Sequence, residues 1–524
     1  MKIERTKNSV RNIAMGFLNK FVMLLVPFII RTIIIYLLGT NYVGLNSLFV
    51  SILTVLSLAE LGIGSAIVFF LYRPIAENDT DTICALLNFY RKIYYVIGAV
   101  ILVLGLILMP FLDVFIESDI PEGLNIYLLY GMYLANTVAT YFFFGYKNAI
   151  LKAVQRNDII SNITTVVYTA MYGIQILILF LTHNYYIYVL LIPIFNVILN
   201  IVTAIYTSKK YPEYTARGNQ YNVDKKEMKR KVSGLMMSKI GAASRNTLDS
   251  IVISAFIGLT QVGMYNNYYF ILTALAGIFA VILNSILAGI GNSIAVESRE
   301  KNYKDFRIIN FMYMVISGAA TVCLVTLMQP FMEIWVGEEY MFPTYISILF
   351  CFYFYLLRQG DISSIYFSAI GLWWKGRWRY LIEAVLNLTL NIILGKYFGV
   401  LGIIVATIST ILCFSYLYGS TFIFTYYFGK KHYWNYIFRN VAYFVVTLAA
   451  AALSYYLCSL ITIEGDKWIL IGAWFIKLAI SLGVAGIVFY LSYFKTKVFK
   501  NSINWLKLKK NYLLKKDIRV EEEI

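Results

Sequence analysis

The chain is poor in charge, with 14% Asp, Glu, Lys and Arg among its 524 residues. A soluble domain carries about a quarter charged residues and about half apolar ones. At 60% hydrophobic, this chain cannot bury its apolar side chains in a water-soluble core and must use lipid as solvent. Histidine is scarcer still. The only two, His183 and His432, lie far apart, which argues against a histidine metal site. The five cysteines (Cys84, Cys323, Cys351, Cys413, Cys458) lack CxxC spacing and fall mostly in apolar runs, so free thiols are expected. There is no G-x-x-x-x-G-K-[ST] phosphate loop and no G-x-S-x-G nucleophile elbow. No loop on the side poor in Lys and Arg is long enough for a folded domain. Net charge is +17, but the basic residues sit in short connections and the C-terminal tail. No nucleic-acid module is recognisable, and no nucleic-acid partner is expected.

What fills the chain is long apolar segments with 44 tyrosines, many near segment ends as in interfacial belts. The sequence predicts an all-α, polytopic membrane protein of about 14 spans. They run over 12–38, 42–72, 91–116, 123–149, 158–182, 185–207, 230–257, 262–295, 306–332, 342–370, 377–398, 400–428, 435–460 and 467–494. Lys2, Arg5, Lys7 and Arg11 precede the first run, which is too long for a cleaved signal and is read as a retained helix.

Connections alternate in charge. Arg73/Arg91/Lys92, Lys152/Arg156, Lys209/Lys210 to Lys231, Arg299/Lys301/Lys304/Arg307, Lys375/Arg377/Arg379 and Lys430/Lys431 mark one side; Asp113/Glu117/Asp119/Glu122, Glu333/Glu338/Glu339 and Glu464/Asp466/Lys467, or almost no charge, mark the other. By the positive-inside rule both termini are expected in the cytoplasm.

Leu38-Gly39-Thr40-Asn41-Tyr42-Val43-Gly44-Leu45 returns 219 positions later as Ile257-Gly258-Leu259-Thr260-Gln261-Val262-Gly263-Met264. Each copy ends one apolar segment and opens the next. Such an internal repeat predicts two halves of six spans, parallel because six is even. The expected organisation is a bundle over 1–208, a linker over 209–229, a second bundle over 230–428, two extra helices over 429–494 and a basic tail over 495–524. The tail mixes Phe499, Ile503, Trp505 and Leu508 with lysines, a pattern for an amphipathic helix on an anionic leaflet or for a solvated tail.

Ionisable residues at membrane depth are costly and tend to face a cavity or a partner. Lys20 and Lys239 occupy equivalent repeat positions. Arg31 has no acid in its own span. Arg245 with Asp249, at i,i+4, and Arg358 with Asp361, at i,i+3, each share a helix face and also suit structural ion pairs. Glu60 is a candidate to neutralise Arg31 or to bind H+ or Na+. Glu383, Asn387 and Asn391 form a polar stripe on one helix. The substrate candidates are therefore Arg31, Lys20, Lys239, Arg245 and Arg358, and the ion-coupling candidates Glu60, Asp249, Asp361 and Glu383. A cation-rich interior suits an anionic substrate such as a diphosphate. No metal or organic cofactor is expected.

Leu38-Gly39…Val43-Gly44-Leu45-Asn46 and Leu56-Ser57-Leu58-Ala59-Glu60-Leu61-Gly62-Ile63-Gly64 resemble the first hairpin of bacterial polysaccharide-repeat-unit (Wzx-type) flippases. Leu248-Asp249-Ser250-Ile251-Val252-Ile253 with Val262-Gly263-Met264-Tyr265 resembles their seventh and eighth helices. Gln155-Arg156-Asn157-Asp158 is similar to their loop between spans four and five. The resemblance implies the multidrug/oligosaccharidyl-lipid/polysaccharide exporter superfamily, alternating access, and a substrate of undecaprenyl-diphosphate-linked oligosaccharide in the bacterial cell membrane. It also implies a polysaccharide polymerase and glycosyltransferases as partners of a monomeric, non-enzymatic transporter. Ser250 departs from the family, in which many members carry an ion there. Three rivals stand beside this reading: a lipid II flippase, a multidrug or cation antiporter, and a membrane polymerase or glycosyltransferase.

Overall fold

The computed structural model describes residues 22–60, 63–117, 120–121, 123–219, 233, 236–237, 241, 247–461 and 465–507. Helix dominates, and no strand occurs among the described residues. In order the helices are α1 (Val22–Leu37), α2 (Thr40–Leu56), α3 (Ile63–Glu77), α4 (Thr80–Leu108), α5 (Ile126–Phe142), α6 (Asn148–Ala153), α7 (Asn157–Thr182), α8 (Tyr185–Lys210) and α9 (Thr247–Phe256). There follow α10 (Leu259–Val296), α11 (Arg299–Val336), α12 (Thr344–Gln359), α13 (Asp361–Ile370), α14 (Arg377–Thr410), α15 (Gly419–Ile423), α16 (Tyr433–Ser459), α17 (Lys467–Tyr493) and a terminal α18 (497–507).

Among the described residues, 8 helices are long and apolar enough to cross a membrane; α1, α2 and α9 are shorter apolar helices. Their surfaces expose large apolar side chains freely, among them Leu181 at 72% and Phe438 at 67%, as lipid-facing positions do. Helix starts are capped by side chains that the sequence supplies at the turns. Asp79 accepts from the Thr82 amide (3.0 Å), Asn125 from Leu128 (3.0 Å) and Ser298 from Lys301 (3.3 Å).

The chain groups into two compact units. One comprises Met1–Asn267 with Tyr380–Ile403, the other Tyr268–Arg379 with Ile404–Ile524. In the first, α4 packs on α3 and α5, and α8 on α5 and α7. Small residues permit close approach: a Cβ on Gly105 would meet Leu134, and one on Gly98 would meet Tyr141. In the second unit α11, α16 and α17 pack against one another, with Gly318 receiving Phe489 and Thr447.

Several expected spans are interrupted. The span expected over 42–72 breaks into α2, a 3₁₀ turn at Ser57–Glu60 and α3. The Ser57 hydroxyl donates back to the Leu53 carbonyl (2.8 Å), which bends helices. The span expected over 123–149 ends at Phe142, where Phe144 turns left-handed (φ 58°) before the short α6. The span expected over 342–370 is divided at Gly360 into α12 and α13. The boundary expected between 398 and 400 is present inside α14, where Gly399 (φ 60°, ψ −142°) makes a sharp bend. Arg379, in the basic connection with Lys375 and Arg377, is 6% exposed and lies against the Gly419 backbone, where only a residue without Cβ leaves room.

The repeat is a pair of turns. Gly39 (φ 106°) and Gly258 (φ 129°) take backbone angles that L side chains avoid. The copies also touch. A Cβ on Gly44 would lie 2.2 Å from the Leu259 carbonyl oxygen, and one on Gly263 would lie 2.6 Å from the Thr40 carbonyl oxygen. The contacts are reciprocal, since Thr40 and Leu259 are themselves equivalent positions.

Candidate functional site

Two polar centres lie in the first unit, inside otherwise apolar helices. The first is built on Arg31 of α1. Its Nε donates to Oδ1 of Asn267 on α10 at 2.7 Å, and the Tyr188 hydroxyl of α8 is near enough to act on its charge. Asn267 is completely buried, and its Nδ2 has no hydrogen-bond partner. Gln175 of α7 donates to the Tyr188 carbonyl (3.0 Å), and the Tyr172 hydroxyl reaches Met23 Sδ at 3.8 Å. Arg31 is thus anchored at Nε by a neutral amide.

Further hydroxyls and amides of the same unit bond one another across α2, α5, α7 and α8. Tyr133 donates to Asn46 (2.7 Å) and lies 3.2 Å from the Tyr185 hydroxyl; Tyr168 donates to Asn196, which bonds Asn136. Such groups suit polyhydroxylated ligands, because hydroxyls and amides both donate and accept.

The second centre surrounds Asp249 of α9, which is 1% exposed. Tyr265 of α10 donates to one carboxylate oxygen (2.7 Å) and Asn391 of α14 to the other (2.5 Å); Asn391 also donates to Asn387 (3.3 Å). Beside it Ser250 accepts from Asn266 at 3.1 Å. Glu383, two turns before Asn391, is 1% exposed. The polar stripe on α14 thus meets the α9 acid through Asn391. Glu60 stands elsewhere, where Tyr94 donates to it at 3.1 Å and Tyr90 donates to Tyr94 at 2.7 Å.

In the second unit Arg358 forms an ion pair with Asp361 (2.8 Å) across the Gly360 break, and Tyr313 donates to the same carboxylate oxygen. The Arg358 guanidinium lies over the Phe354 and Phe279 rings at 5.6 and 5.8 Å. In the connection before α7, Arg156 makes a two-point pair with buried Asp158 (2.9 and 3.1 Å), and this bond raises the Arg156 guanidinium above its ordinary value. Lys20, Lys239 and Arg245 lie outside the described residues.

The residues that sequence reasoning passed over are the neutral partners: Asn267, Asn266, Tyr265, Tyr188 and Tyr94. The Asn266-Asn267 pair in the middle of an apolar run was the available signal. No group of three or more His, Cys, Asp or Glu placed to hold a metal occurs among the described residues.

A family model described as "Polysaccharide biosynthesis protein" matches residues 9–287, more than half of the chain. No curated protein sequence matches. Among solved structures, a lipid II flippase MurJ in an inward closed conformation superposes with TM-score 0.65 at 14% identity, covering 92% of this chain and 99% of its own. An inward-facing multidrug resistance MATE family transporter of the MOP superfamily gives 0.56 at 14% identity, over 76% and 94%. A Vibrio cholerae MATE transporter gives 0.54 at 13% identity, over 80% and 97%. At these identities the likeness is one of fold.

Proposed function

Because the chain belongs to the polysaccharide biosynthesis protein family, we propose that it is a flippase for undecaprenyl-diphosphate-linked oligosaccharide. In this reading it moves the repeat unit from the cytoplasmic to the outer leaflet of a bacterial cell membrane for cell-surface polysaccharide assembly, with both termini cytoplasmic. The observation that carries the reading is Arg31, an arginine inside an apolar helix held by the neutral amide of Asn267. A guanidinium set inside an apolar helix suits a diphosphate, which it can grip with paired N–H donors. The Tyr and Asn groups on α5, α7 and α8 suit the sugars, and the lipid tail stays in the bilayer.

Two parallel six-helix halves working by alternating access would then present the headgroup to one side and the other. A membrane potential negative inside favours expulsion of an anion by about 2.3 kcal/mol per charge per 100 mV. Asp249, with its Tyr265 and Asn391 donors, is the first candidate for H+ or Na+ coupling, and Glu60 the second. A polymerase and glycosyltransferases are the expected partners.

The experiment is leaflet assignment of lipid-linked intermediates in a deletion strain with an impermeant reagent and mass spectrometry. The expected result is accumulation on the cytoplasmic face, restored by wild type and not by an Arg31→Ala variant present at equal level. Accumulation on the outer face would instead favour an enzyme. A lipid II flippase is the second reading, favoured by the superposition over 92% of the chain; accumulation of peptidoglycan precursor in the same strain would select it.

A further inference from the structure

Arg307 and Arg439 belong to neither centre. Both lie in the second unit, at the ends of α11 and α16 that carry the basic connections. These helices run parallel and in register. Tyr303 stacks on His432 (4.2 Å between centroids), Phe306 packs on Tyr436 (5.5 Å), Asn310 donates to Asn440 (3.1 Å) and Phe311 packs on Tyr443 (5.7 Å). Arg307 falls between Tyr303 and Phe311 on α11, and Arg439 between Tyr436 and Tyr443 on α16, so the register brings the two residues to within about one turn of each other along the pair. Their charges act on each other and on Tyr303 and Tyr443 to either side.

Two like charges so placed in a half-buried setting repel, and an opposite charge is the ordinary remedy. None is supplied. Among the described residues no salt bridge engages either arginine, and Arg307 Nε is buried without a hydrogen-bond partner. Arg439 lies about two turns beyond exposed Lys430 and Lys431, whose charge marks the side where anionic headgroups are expected. Nearby, α18 packs Phe499 against Phe311 and Tyr490 (6.4 and 6.1 Å), with Lys497 and Lys500 exposed.

We propose that Arg307 and Arg439 together hold the phosphate of an anionic phospholipid at the basic end of α11 and α16. The guanidinium planes offer paired donors to phosphate oxygens, and the orphaned Arg307 Nε becomes one of them. The lipid binds as a resident ligand that bridges α11 and α16, whatever substrate the first unit handles.

The full-length protein, purified in detergent, is titrated with phosphatidylglycerol or phosphatidylcholine, and retained lipid is counted by native mass spectrometry. Wild type should retain one phosphatidylglycerol at a concentration on the order of tenfold below that needed for phosphatidylcholine. An R307Q/R439Q double variant with unchanged elution and helical circular dichroism should lose that preference. Equal retention of both lipids by wild type overturns the site, and this readout needs no variant. Preference undiminished in the folded double variant also overturns it. Protection from thermal unfolding by inorganic phosphate alone, as strong as by phosphatidylglycerol, would make it a free-anion site. Displacement of phosphatidylglycerol by a polyprenyl diphosphate at equal concentration would assign it to substrate. Either result ends the resident-lipid reading.

Discussion

The Thr260 hydroxyl donates a hydrogen bond of 2.8 Å to the Asn41 side chain, and the two residues are 219 positions apart, the period of the internal repeat. They are one position in two copies, so the bond joins equivalent points. Gly44 against Leu259 and Gly263 against Thr40 complete a reciprocal contact of the kind a two-fold arrangement produces. The conserved feature of the repeat is thus a meeting surface as well as a pair of turns.

Substituting Gly44 by leucine should disrupt that meeting. The side chain would have to displace the Leu259 backbone, which lies 2.2 Å from the added Cβ. Overpacking of this kind costs about 1–3 kcal/mol, or more against backbone. A Gly277→Ala control, whose Cβ meets nothing within 4 Å, should be neutral or slightly stabilising. Thermal unfolding in detergent separates the two, and a Gly44→Leu protein as stable as wild type would contradict the contact.

Asn267→Leu should impair transport without altering abundance. It removes the acceptor 2.7 Å from Arg31 Nε while keeping volume. A hydrogen bond to a charged group contributes about 1.5–3 kcal/mol, so flipping should fall by roughly ten- to a hundredfold. A leaflet assay in a strain depending on the variant measures it. Wild-type flipping by a normally abundant Asn267→Leu protein would show that Arg31 positioning is immaterial.

Asp249→Asn retains the shape of the centre formed with Tyr265 and Asn391 but removes its charge. If Asp249 carries the coupling ion, transport in proteoliposomes should stop responding to pH and Na+ gradients while still responding to membrane potential. An unchanged gradient response would exclude Asp249 and turn attention to Glu60.

Asp79→Ala should cost about 1 kcal/mol through loss of the α4 cap. The hydrogen bond from Thr82 holds the Asp79 carboxyl below its ordinary 3.8. A depressed carboxyl contributes stability that is present above the unfolded value and lost as pH falls through the folded one. The difference between wild type and Asp79→Ala should therefore be full at pH 6 and shrink below about pH 4. A difference constant down to pH 2 would mean that the cap does not depend on ionisation.

Much of this architecture was readable before folding was considered. Long apolar runs demand helices in lipid, and the bend expected at 399 is where Gly399 turns. Arg31, Asp249, Asn387 and Asn391 stood out because charge and amide are expensive among apolar neighbours. Tyr94 and Tyr265 did not, since tyrosine is abundant in this chain and its hydroxyl carries no mark of burial. Arg379 did not stand out either: it sits in a short basic connection, and only the fold shows that Gly419 leaves space for the side chain to turn inward.

The sequence alone determined that the chain is helical, apolar and repeated, because the solvent requirement of each segment depends only on its own side chains. Tertiary structure alone decided which groups meet. Asp249 and Asn391 stand 142 positions apart, and Thr260 and Asn41 stand 219 apart. A directional bond between such partners exists only when helix packing brings donor and acceptor within about 3 Å of each other, and packing belongs to the whole fold.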